Sequence, residues 1–184
     1  MILYHQNDHK ELIRRKIITA GTLVLTNPTN ASLTVQDVCF EAGVTEREFL
    51  HHFSDERALP LAIFDDFISS AERDLDRYMI EDPEEYGSFT RAYTEFLIES
   101  AWRGKLDKRS ALVALCFNDP ELQPMWANWF DNILRKHFHT DGDDHLSVAR
   151  FAAEQFCLSA LSRVNPPDIG ETREILLDVT HKRC

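Results

Sequence analysis

Between Leu33 and Leu59 the sequence LTVQDVCFEAGVTEREFLHHFSDERAL carries two helix-start signals, Thr34 with Asp37 and Thr45 with Glu48, and Gly43 lies between them. A Thr hydroxyl three residues ahead of an acid can accept from a free backbone N–H, while the acid favours the positive end of the helix. Val35, Val38 and Ala42 fall on one face of the first short helix, and Phe49 and Phe53 on one face of the second. Gly43 is expected to supply the turn because a Cβ there would obstruct a sharp change of direction, and Val44 to fill the angle between the helices. The segment therefore reads as short helix, tight turn, short helix and the start of a longer helix near Leu59, which is a helix-turn-helix.

The remainder is helical in pattern as well. Gly is scarce, 6 of 184 residues. Gly and Pro fall where helices should end: Asn27-Pro28, Gly43, Asp82-Pro83, Gly104, Asp119-Pro120, Gly142 and Pro166-Pro167. Between these marks apolar residues recur at steps of three and four: Ile13, Ile17, Ala20, Val24 in a first helix expected from Lys10 to about Leu25, then Leu61, Phe64, Ile68, Ala71, Leu75, Tyr78. Later stripes are Leu122, Trp126, Trp129, Ile133, His137; Ala149, Ala153, Phe156, Ala160; and Ile169, Thr172, Leu176, Val179. No run shows strand alternation, so the expectation is an all-α chain of about nine helices. Pro60 removes a backbone donor in the expected fourth helix, which predicts a kink or a late start.

The residues Ala42-Gly43-Val44-Thr45, Phe49, His51-His52-Phe53 and Leu59, behind one long amphipathic helix and ahead of a larger helical region, resemble the DNA-binding signature of TetR-family transcriptional regulators. Asn118-Asp119-Pro120-Glu121-Leu122 is similar to a segment of these proteins too. The resemblance implies a helix-turn-helix DNA-binding domain over residues 1–58 and a helical ligand-binding and dimerisation domain over 59–184. It implies a ligand-responsive regulator, most simply a repressor, that binds a palindromic double-stranded DNA operator as a homodimer. Arg47, His51 and His52 would make direct contacts to DNA, and Thr34 and Thr45 would lie at phosphates. Arg14, Arg15 and Lys16 either reach the backbone or form a solvated helix face.

Charge sets the terms of this reading. The chain carries 20 basic and 31 acidic side chains, a net of −11. Residues 1–60 hold six basic and eight acidic side chains, a net of −2, and residues 61–184 hold the remaining −9. Most of the acidity thus belongs to the second region. Within the first, Leu50 stands where the family usually has Tyr, and Glu56 where it usually has Lys. Glu46 and Glu48 add acid to the second short helix, and carboxylates near phosphates oppose binding. The alternative is a TetR-fold protein that has lost operator binding and acts as a protein-interaction adaptor or antagonist.

In the resembled family the second region holds an inducer pocket. Trp102, Phe117, Trp126, Trp129 and Phe130 supply aromatic rings, and His137, Arg103 or Asn118 a polar handle, for an apolar or aromatic small molecule; each ring alone reads equally as core. The family pairs its last two helices with those of a second subunit. Ala149, Ala153 and Ala160, anchored by Phe156 and Leu176, allow such an interface or packing inside one subunit.

His137, His139, Asp141, Asp143, Asp144 and His145 lie in an expected loop without regular ligand spacing, so no metal is assigned. No Ser-His-Asp order, P-loop or G-x-G-x-x-G appears, and neither enzymatic activity nor a cofactor is expected. Cys39, Cys116, Cys157 and Cys184 are far apart, with three of them among apolar neighbours. With a polar start and no long apolar run, that fits a reduced cytoplasmic protein with no membrane segment.

Overall fold

The computed structural model describes residues 2–27, 33–55, 57–102, 112–113, 116, 119–162 and 168–182. Among them are nine helices and no strand: α1 Ile2–Leu25, α2 Val35–Ala42, α3 Glu46–His52, α4 Ala58–Glu81, α5 Ser88–Trp102, α6 Leu122–Lys136, α7 Phe138–Asp141, α8 Asp144–Ser162 and α9 Ile169–Asp178. None of these is long and apolar enough to cross a membrane. The chain divides into two compact units, Met1–Phe67 and Ile68–Cys184.

In the first unit α1 packs on α2 and α3, and Ile17, Ile18, Ala20 and Val24 of α1, Val38 and Cys39 of α2 and Phe49 of α3 are all buried. The spacing of the α1 residues is the expected stripe. The helix begins at Ile2 rather than near Lys10, because the first ten residues hold no Gly or Pro to stop it. Asp55 Oδ1 caps the next helix, accepting the N–H groups of Arg57 at 3.0 Å and Ala58 at 2.9 Å. Pro60 is then the third residue of α4. First-turn N–H groups have no intrahelical acceptor, so Pro is tolerated there. The interior row of α4 is Leu59, Ile63, Phe67, Ala71 and Leu75. Leu61, expected on the buried stripe, is 40% exposed, one step off that row.

In the second unit α5 is buried over most of its surface: Phe89 to Thr94, Phe96 to Ile98 and Ser100 are interior, while Ser88, Glu95 and Glu99 are partly exposed. It packs along α8 and also meets α7 and α9. Ala149 and Ala153 of α8 are buried, as are Leu146, Phe156 and Cys157, and Leu176 of α9. Four of the five residues expected at a subunit interface, Ala149, Ala153, Phe156 and Leu176, therefore face the interior of this chain, and Ala160 is half-buried. The small side chains permit close helix approach within one subunit.

A polar network runs through this core. Asp141, fully buried, accepts from the Thr90 N–H at 2.7 Å, the Thr90 hydroxyl at 2.6 Å and the Phe89 N–H at 3.3 Å. It thus satisfies donors at the start of α5 from a distance of some fifty residues in sequence. Arg150 donates to Thr90 Oγ1 at 2.7 Å and to the Asp141 carbonyl at 3.1 Å. The segment from His137 to His145, expected as a solvated loop, is instead α7, this capping carboxylate and the start of α8. Arg91 forms a second knot. It donates to Asp82 at 2.6 Å and to the carbonyls of Glu84, Tyr86 and Thr180. Gly87, at φ +72°, sits between them, and a Cβ there would lie 2.6 Å from the Thr180 carbonyl oxygen.

Candidate DNA-reading and ligand sites

The helix-turn-helix is held by local hydrogen bonds. Thr34 Oγ1 accepts the Asp37 N–H at 3.1 Å and donates to Asp37 Oδ2 at 2.6 Å, which starts α2. The helix ends on Gly43 at φ +63°, ψ 39°. The Gly43 N–H reaches the Phe40 carbonyl at 3.3 Å and the Val44 N–H the Cys39 carbonyl at 3.0 Å, the paired closing bonds of a Schellman turn. A Cβ on Gly43 would meet nothing within 4 Å. Glycine is needed there for its left-handed backbone, not for the space a Cβ would occupy. The next helix opens with a full capping box: Thr45 N–H to Glu48 Oε2 at 2.8 Å and Glu48 N–H to Thr45 Oγ1 at 3.2 Å.

These bonds sort the acids of the motif. The Glu48 carboxyl is held below the usual carboxylate range, first by the Thr45 backbone N–H and then by the Thr45 hydroxyl. Its charge is committed to the start of its own helix. Glu46 is exposed, and Glu56 lies outside the described residues. Both threonine hydroxyls are already engaged as caps, so a phosphate contact from either would share or replace those bonds.

Of the other expected DNA contacts, Arg47 and His51 are exposed on α3 and His52 is half-buried. The two imidazoles are 5.6 Å apart and nearly perpendicular. His52 is held below the ordinary histidine range by burial, then by the positive charges of His51, Lys10 and Arg14, with Glu11 opposing. Arg14 stacks over Phe53, its guanidinium carbon 5.3 Å from the ring centroid, and Arg15 pairs with Glu11 at 3.2 Å on the helix surface. Leu50 is 58% exposed and Phe40 88% exposed. Phe40 belongs to no stripe in the sequence, although the buried positions Val38 and Cys39 leave it on the outer side of α2.

In the second unit the structure brings four of the expected ligand residues into one aromatic cluster and adds two more. Trp126 and Trp129 rings lie 4.8 Å apart, Phe130 lies 4.9 Å from Tyr93 and 6.1 Å from Phe89, and His137 stacks on Phe89 at 5.3 Å and 4°. Phe89 and Tyr93 come from α5, where no stripe in the sequence marks them. Two carboxylates border the cluster. The Trp129 indole donates to Glu72 at 3.0 Å, and the Tyr93 hydroxyl to Glu154 at 2.9 Å. Burial raises the Glu154 carboxyl above its usual range, against the Tyr93 bond and Arg150. Phe117, Arg103, Asn118 and the Trp102 side chain lie outside the described residues. Asp141, Asp143 and His145, weighed above as metal ligands, are used otherwise: Asp141 caps α5, and Tyr86 donates to Asp143 at 2.7 Å and lies 3.1 Å from His145 Nε2.

A family model described as a tetracyclin repressor-like C-terminal domain matches residues 87–181. No curated protein matches the sequence. Among solved structures, the multidrug binding protein EbrR complexed with malachite green superposes with a TM-score of 0.70 at 22% identity, over 92% of this chain and 98% of that one. EbrR complexed with imidazole gives 0.65 at 21%, over 93% and 96%. The TetR-family protein SCO1917 from Streptomyces coelicolor A3 gives 0.69 at 21%, over 92% and 99%. The family model spans more than half of the chain, and the all-α fold with its capped helix-turn-helix agrees with it: this chain belongs to the TetR family of transcriptional regulators.

Proposed function

We propose that this chain is a cytoplasmic repressor that binds a palindromic operator as a homodimer and releases it when a small aromatic molecule occupies the second unit. The observation that carries the reading is the helix-turn-helix itself, capped at both starts and closed by a left-handed glycine, in a chain of this family. On this reading α3 enters the major groove with Arg47, His51 and His52 towards the bases, while Thr34 and Thr45 lie beside phosphates.

The ligand is inferred from the aromatic cluster. Trp129 and Phe130 are half-buried, and Glu72 and Glu154 border the rings. Flat rings beside carboxylates suit an aromatic cation, since both ring faces and carboxylates attract positive charge. Malachite green and imidazole are the molecules named with EbrR. For dimerisation, the exposed large apolar side chains of the last two helices, among the described residues, are Val148 and Phe151 on α8 and Ile175 on α9, so the interface proposed is this outer face. Ligand shifts DNA binding only by its different affinity for the free and DNA-bound states.

Selection of bound duplexes from a random DNA pool tests the reading. Enrichment of a palindromic site is expected, and recovery of an unenriched pool would overturn it. A second reading is favoured by Phe40 and Leu50, whose exposure is unusual for large apolar side chains on a reading head. It makes the first unit a surface for another protein, and it predicts no DNA binding even at low salt.

A further inference from the structure

Arg15 and Lys16, which take no part in the bonds of the helix-turn-helix, edge an open groove between α1 and α2. Leu12, Lys16, Thr19 and Leu23 recur at steps of four, three and four, so they share one face of α1 over about three turns. That face lies beside the stripe that buries Ile17, Ala20 and Val24. With Ala20, and with Glu41 and Ala42 of α2, it bounds about 380 Å³. Leu12 and Leu23 are exposed along it, and the two alanines lie deeper. The edges differ in charge, with Arg15 and Lys16 on α1 and Glu41 on α2. Arg15 is paired with Glu11. Lys16 and Glu41 are exposed, with no ion-pair partner among the described residues. Next to Glu41, Phe40 carries the most exposed large apolar side chain among those residues.

We propose that this face pairs with the same face of a second copy of the chain, Phe40 of each entering the groove of the other while Glu41 meets Lys16. The pairing is separate from the dimer proposed at α8 and α9, and it holds whether or not α3 reads DNA. A two-fold axis returns every contact in the opposite direction. A face with a basic edge, an acidic edge, a hollow and a projecting ring supplies both halves of each contact, so it is complementary to itself. Phosphate would satisfy Lys16 and Arg15 but would leave the apolar walls in water, and Glu41 would repel it. A strongly acidic partner would meet the same repulsion. Net charge also favours the first unit as the meeting surface. Residues 1–60 carry only −2 of the total of −11, so two copies approach through these units with the least repulsion. One groove and one ring from each copy make a small interface, of the weak and reversible kind.

Sedimentation of the full chain without DNA, from about 10 μM to about 1 mM protein at about 0.15 M salt, tests this. The mass at the lowest concentration reads the dimer at α8 and α9 by itself, and a single-chain mass there would count against that dimer alone. At the highest concentration wild type is expected to reach at least twice its low-concentration mass. Phe40→Ser, at an exposed side chain, should abolish the increase with helical circular dichroism unchanged. Lys16→Glu alone and Glu41→Lys alone should abolish it too, because each sets like charges against one another across the axis. An equimolar mixture of these two variants should regain the increase, since each then meets the opposite sign at both contacts. A wild-type mass that does not rise with concentration, or a rise that Phe40→Ser leaves intact, would overturn the proposal. A mixture that fails to regain the increase would overturn the two-fold pairing and leave the face to a different protein.

Discussion

The two units are stabilised by different kinds of polar contact. In the helix-turn-helix the side-chain bonds that shape the motif span two or three residues: Thr34 to Asp37, Thr45 to Glu48, and Asp55 to Arg57 and Ala58. In the second unit the corresponding bonds join residues far apart, Asp141 to Thr90 and Arg91 to Thr180 among them. The caps of the helix-turn-helix are exposed, whereas the bonds of Asp141 and Arg91 are buried or partly buried. A local cap stabilises its own helix by a modest amount. A buried carboxylate that ties distant helices together leaves several groups unsatisfied when it is removed.

That contrast orders the expected effects of substitution. Asp141→Ala should be the most damaging, at about 3–5 kcal/mol, because it strands the Phe89 and Thr90 N–H groups and the Thr90 hydroxyl in the interior and removes a counter-charge of the buried Arg150. Urea unfolding measures it, and a loss below that of a helix cap would break the comparison. Gly87→Ala should cost about 2–3 kcal/mol, since it combines a left-handed backbone with a Cβ driven onto the Thr180 carbonyl. Thr45→Ala should cost about 1–2 kcal/mol by dissolving the capping box, with Thr45→Ser restoring most of it. Gly43→Ala should cost about 1 kcal/mol, less than Gly87→Ala, because its φ is similar but its surroundings are open. Equal losses at the two glycines, read by thermal unfolding, would show that the long-range contact contributes nothing.

The same contrast explains what was legible in the sequence. Thr34, Gly43, Thr45 and Phe49 could be assigned because a cap, a turn and a buried face are written within a few residues of one another. A glycine at a turn reads the same whether a positive φ or a crowded site requires it, and at Gly43 it is the φ of +63°, since no atom lies within 4 Å of a Cβ there. Asp141 could not be read, because its partners lie in another helix and nothing near it in sequence announces them. The stripe Ala149, Ala153, Phe156 was visible, but period alone does not say whether a stripe faces its own subunit or a second one. In the single chain Ala149, Ala153 and Phe156 are buried, and Val148 and Phe151 lie outside. The aromatic cluster shows in the sequence of α6, whereas Phe89 and Tyr93 belong to a helix that is mostly buried and so carries no clear stripe.

If α3 of this acidic chain reads DNA, binding of the full chain to its selected duplex must depend steeply on salt. The account predicts that log affinity falls linearly with log salt, with a slope of about −0.9 for each phosphate neutralised. Absence of binding at the lowest salt, or an affinity that salt leaves unchanged, would contradict it.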